Sequence, residues 1–283
     1  MSDPFPPVLV DIDWLDRHRD PHLKRVDARF FLPNEGHDAR AEYEAGHLPG
    51  AVFFDIDAIS DDTSSLPHML PSPERFAATV GALGIGDDDT VVCYDEGRFM
   101  GACRAWWMFR IYGHARVAVL DGGLHAWRDA GLPLAHGPET PEPAAFTPRW
   151  QPERVRSLDQ VRVALEDASV RVLDARSPER FAGSAPEPRP GLRSGHMPGA
   201  LNLPFTRLID DDGRLRKPTE LSHLFEQAGL KPEQAVIATC GSGVSAAVLL
   251  LALHLLGWDR LALYDGSWAE WGSRSDTPVT TGY

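Results

Sequence analysis

The sequence predicts an α/β protein of two tandem domains of the same kind, each a mostly parallel sheet flanked by helices. Three observations predict it: the chain repeats itself at one long offset, each copy alternates short apolar runs with helical patterns, and a proline-rich seam parts the copies. Val26-Asp27-Ala28-Arg29 recurs 147 positions later as Leu173-Asp174-Ala175-Arg176. His47-Leu48-Pro49-Gly50-Ala51 recurs 149 later as His196-Met197-Pro198-Gly199-Ala200, and Leu120-Asp121-Gly122-Gly123-Leu124-His125-Ala126-Trp127 recurs 144 later as Tyr264-Asp265-Gly266-Ser267-Trp268-Ala269-Glu270-Trp271. The period is too long for a solenoid repeat, so it means two copies of one domain.

The elements follow in chain order. Thr90-Val91-Val92-Cys93-Tyr94 and Arg116-Val117-Ala118-Val119-Leu120 are β-branched or aliphatic runs that read as strands, with a helix over Cys103 to Ile111 between them. The seam Gly137-Pro138-Glu139-Thr140-Pro141-Glu142-Pro143 has no hydrophobic periodicity and reads as linker. The expected division is residues 1–137, a linker at 138–153 and residues 154–283, about 130 residues per copy. In the second copy Arg171-Val172-Leu173 and Ala235-Val236-Ile237-Ala238 read as strands, Leu221 to Gly229 as a helix, and Val248-Leu249-Leu250-Leu251-Ala252-Leu253 as another. Such sheets bind ligands beyond the carboxyl ends of their strands, and Cys240 lies at such an end.

Composition narrows the function. Hydrophobic residues are 43% and charged residues 24%, the globular norm. A net charge of -13 argues against a nucleic-acid or anionic-membrane partner, although a local basic pocket can still take a small anion. Residues 171 to 193 hold five arginines against three acids, and stand out for that reason. Met1-Ser2-Asp3-Pro4-Phe5 has no basic-then-apolar leader, and no stretch approaches the roughly 18 apolar residues of a membrane span. Three cysteines make no disulfide framework, so the expected setting is a reducing, cytoplasmic one.

The chemistry converges on Cys240. An apolar run ends on it, the short loop Gly241-Ser242-Gly243-Val244-Ser245 follows, and a helix begins. A thiol at a strand-to-helix switch has several backbone N–H groups and a helix N-terminus aimed at it, which favours the thiolate. The bland alternative is a small buried apolar residue, and Cys93 and Cys103, in apolar surroundings, keep that reading. At an offset of 145, Asp95 faces the position of Cys240. The first copy therefore lacks the thiol, the second carries the chemistry, and the first is expected to supply one wall of a cleft.

Two such repeats with the cysteine only in the second resemble the tandem-domain rhodanese family of sulfurtransferases. The likeness covers nearly the whole chain, including both His-x-Pro-Gly-Ala motifs and Trp106-Trp107-Met108-Phe109-Arg110. The loop Cys240-Gly241-Ser242-Gly243-Val244 resembles the 3-mercaptopyruvate branch, because the thiosulfate branch has basic residues where Gly241 and Ser242 stand. Ser245 stands where Thr is commoner and keeps the hydroxyl. The resemblance implies a Cys240 persulfide, with Gly241, Gly243, Val244 and Ser245 shaping the substrate loop. It implies substrate-binding arginines at Arg180 and Arg189, and proton handling by Ser242 with Asp57 and His68. Read without the family, Asp57 is also a helix-cap residue and His68 an ordinary loop residue. The implied donor is 3-mercaptopyruvate and the implied acceptor a thiol, thioredoxin or glutathione, or cyanide; no cofactor or metal is needed.

Rival readings have residues to answer to. Thiosulfate is the alternative donor within the family, and a sulfur-carrier module that needs a protein partner is the non-enzymatic alternative. Gly241-Ser242-Gly243-Val244-Ser245-Ala246 also fits a Gly-x-Gly-x-x-Ala dinucleotide fingerprint, but only 37 residues follow it. A cysteine phosphatase would need an arginine six positions after the cysteine, where Ala246 stands. His47 and His196 recur in both copies, which favours a structural role at a turn over substrate contact.

Overall fold

The structure is a computed structural model that describes residues 6–18, 20–32 and 35–283; the polar opening segment 1–5, read above for a leader, lies outside them. The chain falls into two units. The first holds Met1–Asp62, Leu70–Gln151 and Asp211–Arg214, the second Thr63–Met69, Pro152–Asp210 and Leu215–Tyr283.

In chain order the first unit contains β1 (Leu9–Val10), α1 (Ile12–Arg17), β2 (Leu23–Asp27), α2 (Ala39–Ala45), β3 (Ala51–Phe53), α3 (Ile56–Ile59), α4 (Pro73–Ala82), β4 (Thr90–Tyr94), α5 (Met100–Ile111), β5 (Val117–Leu120) and α6 (Gly123–Asp129). The second contains β6 (Val155–Arg156), α7 (Leu158–Ala164), β7 (Val170–Asp174), α8 (Pro178–Ala182), β8 (Leu201–Asn202), α9 (Pro218–Gln227), β9 (Ala235–Thr239), α10 (Ala246–Leu255), β10 (Leu261–Tyr264) and α11 (Ser267–Trp271). Each unit forms one five-stranded sheet, ordered β1-β5-β4-β2-β3 and β6-β10-β9-β7-β8. The two orders are the same order, and every strand pair is parallel. The duplication read from three short motifs is thus a duplication of topology.

Local chemistry explains the helix starts. Asp11 and Asp38 accept backbone N–H groups at the N-termini of α1 and α2, and Ser157 and Gln160 form a reciprocal capping box on α7. Ser72 and Ser177 cap α4 and α8 just ahead of Pro73 and Pro178, whose missing N–H costs nothing in a first turn. Two helices begin before their apolar spacing does. α5 starts at Met100 rather than Cys103, and α9 at Pro218 rather than Leu221. A left-handed Phe99 (φ 64°) and a first-turn proline, not hydrophobic periodicity, set those two boundaries.

The strands read as near-continuous apolar runs because both faces of each sheet are covered. Val92, Tyr94, Ala118 and Leu120 pack with Leu124 and Trp127 in the first unit. Val172, Ile237, Ala262 and Tyr264 pack with Trp268 and Trp271 in the second. Residues Ala246 to Leu253 of α10 are all fully buried, so this helix is apolar on every face, as its sequence is. His47 and His196 do matching work. Their Nδ1 atoms lie 2.9 and 2.8 Å from the carbonyls of Tyr43 and Phe181, and their rings stack on the rings of those same residues. Both sit in isolated bridges, with Ala135 and Thr280, which is a turn-fixing role. Among the described residues, no helix is long and apolar enough to cross a membrane, and no group of three or more His, Cys, Asp or Glu is arranged to hold a metal ion.

Candidate active site

β9 delivers Cys240 to the carboxyl edge of the second sheet, where Asp174 of β7 pairs with Thr239. Cys240 is unpaired and only 2% exposed. The carbonyls of Cys240 and Gly241 accept the N–H groups of Trp268 and Ala269 at 3.0 and 2.9 Å, which ties the loop to α11. The Cys240 N–H donates to Ser267 Oγ at 3.3 Å, while the Ser267 hydroxyl donates to the Tyr264 carbonyl at 2.8 Å. Gly243 takes a left-handed φ of 78°, and the chain then enters α10. Gly243 and Val244 are buried, and Ser245 is half-buried at the N-cap of α10.

The first unit shows what such a loop holds. Asp95, 145 positions before Cys240, is buried at the matching strand end. Its Oδ1 accepts N–H groups from Gly97, Arg98 and Phe99 at 2.9, 3.1 and 3.0 Å; its Oδ2 accepts those of Gly101 and Ala102 at 3.1 and 3.3 Å. Burial raises the Asp95 carboxyl above the usual range, and the amides of Gly97, Ala102, Phe99 and Arg98 oppose the rise. In the first copy the strand-loop-helix turn is therefore a ring of convergent donors.

Ser242 Oγ and His68 Nδ1 share a hydrogen bond of 2.9 Å, and both residues are buried. His68 adopts a left-handed φ of 57° and belongs to the stretch Thr63–Met69 that groups with the second unit. The pair joins the loop residue two positions after Cys240 to an imidazole.

The arginines come next. A Cβ added at Gly241 would lie 3.1 Å from Arg180 Nη2 and 3.9 Å from Arg189 Nη1. Both guanidinium groups thus lie against the residue that follows the thiol. Arg180 is held by Glu187, whose Oε2 accepts from Nη2 at 2.5 Å and whose Oε1 accepts from Nε at 3.3 Å. Glu187 Oε1 also accepts from Arg176 Nη1 at 2.7 Å, and its side chain is 1% exposed. Burial works against the Arg176 charge, but Asp174 and Glu187 outweigh it and hold its pKa above the ordinary arginine value. The local surplus of arginine is therefore only partly a binding surface: Arg176 is committed to two carboxylates, and Arg193 to the carbonyls of Trp271, Gly272 and Thr277.

The structure brings Cys240, Ser242, His68, Arg180, Arg189 and the loop residues together in the second unit. Asp57 lies in the first unit, exposed in the first turn of α3, which Asp55 caps through the Ala58 N–H. Cys93 and Cys103 are fully buried, and burial pushes both thiols up, so they stay protonated. Sequence reading missed Ser267 and Glu187. Ser267 had a signal: it stands where the first copy has Gly123, and a change at a repeat position invites a reason. Glu187 had none, because it lies in an irregular segment with no counterpart in the first copy's pattern.

A thiol on a strand-to-helix loop, with two guanidinium groups against the next residue and a hydroxyl–imidazole pair reached from the same loop, suits attack on an electrophilic centre of a small anion. The comparisons agree with that chemistry. The family model described as rhodanese-like domain matches residues 11–130 and 157–274. The 3-mercaptopyruvate sulfurtransferase of Escherichia coli (strain K12) is 46% identical over 96% of this chain and 97% of its own. An Arabidopsis thaliana relative, thiosulfate/3-mercaptopyruvate sulfurtransferase 1, mitochondrial, is 42% identical over 96% of this chain and 77% of its own. The crystal structure of SseA from Escherichia coli, a 3-mercaptopyruvate sulfurtransferase, superposes with a TM-score of 0.86 at 42% identity, over 93% of this chain and 99% of that one.

Proposed function

Since the chain belongs to the rhodanese family, with its domain present twice, we propose that it is a sulfurtransferase that moves sulfur from 3-mercaptopyruvate onto Cys240 and then to an acceptor. The observation that carries the reading is the pair of guanidinium groups against Gly241, beside the thiol. Arginine grips a carboxylate through two parallel hydrogen bonds, so Arg180 and Arg189 suit the carboxylate of a 2-oxo acid. The loop itself, Gly241 to Ser245, carries no charge.

The steps balance with the chain's own groups. The Cys240 thiolate attacks the sulfur of 3-mercaptopyruvate and forms a sulfur–sulfur bond. The carbon–sulfur pair leaves to carbon, and the ketone delocalises it as the pyruvate enolate. The proton of the substrate thiol passes by way of Ser242 and His68 to that enolate, which becomes pyruvate. Cys240 is left as a persulfide anion, for which the ring of amides supplies stabilisation; the filled ring around Asp95 supports that role. A thiol such as thioredoxin or glutathione, or cyanide, then takes the outer sulfur in a ping-pong scheme. Asp57 joins this reading in proton handling, on family likeness alone. The reading divides the chain at 1–137, 138–153 and 154–283, and the matched spans fall inside the two outer parts. Three unpaired cysteines support a reducing, cytoplasmic setting.

Thiosulfate is the second donor to test, because the Arabidopsis relative is named for both. The experiment is a side-by-side donor assay with intact-mass detection. We expect 3-mercaptopyruvate to add the mass of one sulfur atom and release pyruvate over many turnovers, and Cys240→Ser to do neither. Unimpaired transfer by Cys240→Ser would reject the nucleophile, and a higher kcat/KM on thiosulfate would reverse the donor order.

A further inference from the structure

The two copies solve one electrostatic problem in different ways. Each contains a buried arginine three positions into its repeat motif, Arg29 or Arg176, gripped by the aspartate two residues before it. In both, Nη2 also donates to an equivalent glycine carbonyl, Gly46 or Gly195. What differs is the acid that takes Nη1. In the first copy it is Glu96, at 3.0 Å, the residue that follows Asp95 on the loop. In the second copy the residue that follows the thiol is Gly241, and Glu187 takes Nη1 instead, at 2.7 Å. Glu187 comes from the segment after α8, and its other oxygen is free to hold Arg180.

We propose that Glu187 is a positioning residue of the sulfurtransferase site: it replaces the loop carboxylate of the first copy, and by moving that charge off the loop it sets the Arg180 guanidinium in the space beside Gly241. Three observations support it. The Glu187 side chain is 1% exposed although it carries a charge, which a carboxylate tolerates only when fully paired. Both its oxygens are used, Oε1 by Arg176 Nη1 and Arg180 Nε and Oε2 by Arg180 Nη2, so that Arg180 is engaged in a fork that fixes the guanidinium plane. The far side of Arg176 is fixed in turn, by Asp174 and by the Trp268 ring, whose centroid lies 4.3 Å from the guanidinium carbon. Glu187 is thus anchored to the rigid sheet edge and transmits that rigidity to Arg180, 22% exposed and the nearer of the two arginines to Gly241. A carboxylate at the loop position itself, as in the first copy, would repel an anionic donor; at residue 187 it is neutralised on both sides.

The inference rests on Arg180 binding the donor, so its test separates the two claims. Kinetics on 3-mercaptopyruvate are measured for Glu187→Asp, Glu187→Gln, Arg180→Leu and the two doubles. Glu187→Asp keeps the charge that Arg176 needs but is one methylene too short to span both arginines, so it is the variant expected to fold as wild type. We expect it to raise KM about fivefold and Glu187→Gln to raise it about tenfold or more, with kcat changed less in each case. In the Arg180→Leu background neither substitution should add to the loss, because residues that act through one contact are not additive. If Arg180→Leu raises KM while Glu187→Asp, folded by circular dichroism, keeps the wild-type KM, the positioning role is overturned. Losses that multiply in the doubles would overturn it too and leave Glu187 a structural acid. If Arg180→Leu itself leaves KM unchanged, the substrate role of Arg180 fails first.

Discussion

At the scale of single residues, Gly241 is the position where the absence of a side chain does chemical work. Its φ is not left-handed, so its backbone tolerates other residues; what it offers is space. A methyl group there would stand 3.1 Å from Arg180 Nη2, closer than carbon and nitrogen normally approach. Arg180 would have to give way, and its fork on Glu187 resists that. Gly241→Ala is therefore expected to leave thermal stability within a degree or two and to raise KM for 3-mercaptopyruvate several-fold, because a displacement of about 1 Å in a binding group is costly. Steady-state kinetics beside a melting curve check it; an unchanged KM would mean that the guanidinium is not held as tightly as its two hydrogen bonds imply. Cys93 and Cys103 show the opposite design. Burial is the main cause that keeps both thiols protonated, and at Cys103 the neighbouring Asp95 adds to it.

At the scale of elements, the loop after β9 is held from α11, and Ser267 makes the connection. Its φ of 48° is a left-handed value that serine rarely adopts; the matching residue of the first copy is Gly123, with φ 53°. The second copy accepts that strain because the hydroxyl donates to Tyr264 and accepts from Thr239 Oγ1 and the Cys240 amide. A reversal of the usual order follows. Alanine stabilises a helix more than glycine in general, but at residue 267 alanine keeps the strain and loses the hydroxyl, whereas glycine loses both. Ser267→Gly should melt above Ser267→Ala, by roughly 1 kcal/mol of stability; the reverse order would mean that the backbone is not strained there. This also marks how much was legible in advance. The α/β architecture, the duplication, Cys240 and its loop were readable because repeats, apolar runs and a Gly/Ser turn are local patterns. The two-residue strands β1, β6 and β8 were not, because edge strands so short have no periodicity. Glu187 and the Ser242–His68 contact were not readable from geometry either, since each depends on chain segments that only tertiary structure brings together.

At the scale of the molecule, one topology is used twice and only one copy keeps a thiol at the end of its central strand. In the first copy the loop ring is filled by the chain's own Asp95, with five amide donors satisfied internally. In the second, the residue at the same place is Cys240, and the proposed function has the loop amides serve a persulfide anion there in place of a folding carboxylate. The three cysteines should then behave as one plus two. Cys93 and Cys103 have 0% exposure and raised pKa values; Cys240 has a charged neighbourhood, with two guanidinium groups beside the next residue. An anionic alkylating agent such as iodoacetate, applied to the native protein at neutral pH, should modify a single site, and peptide mapping should place it at Cys240. Prior loading with 3-mercaptopyruvate should move the label to the outer sulfur, where reduction by dithiothreitol removes it. The rate should fall as salt rises, since cations that attract the reagent are screened over about 8 Å at physiological ionic strength. In denaturant all three thiols should react alike. Equal reactivity in the native state, or a Cys240 that stays unlabelled, would show that the loop of the second copy does not favour an anionic sulfur, and the division of labour between the copies would have to be drawn on other grounds.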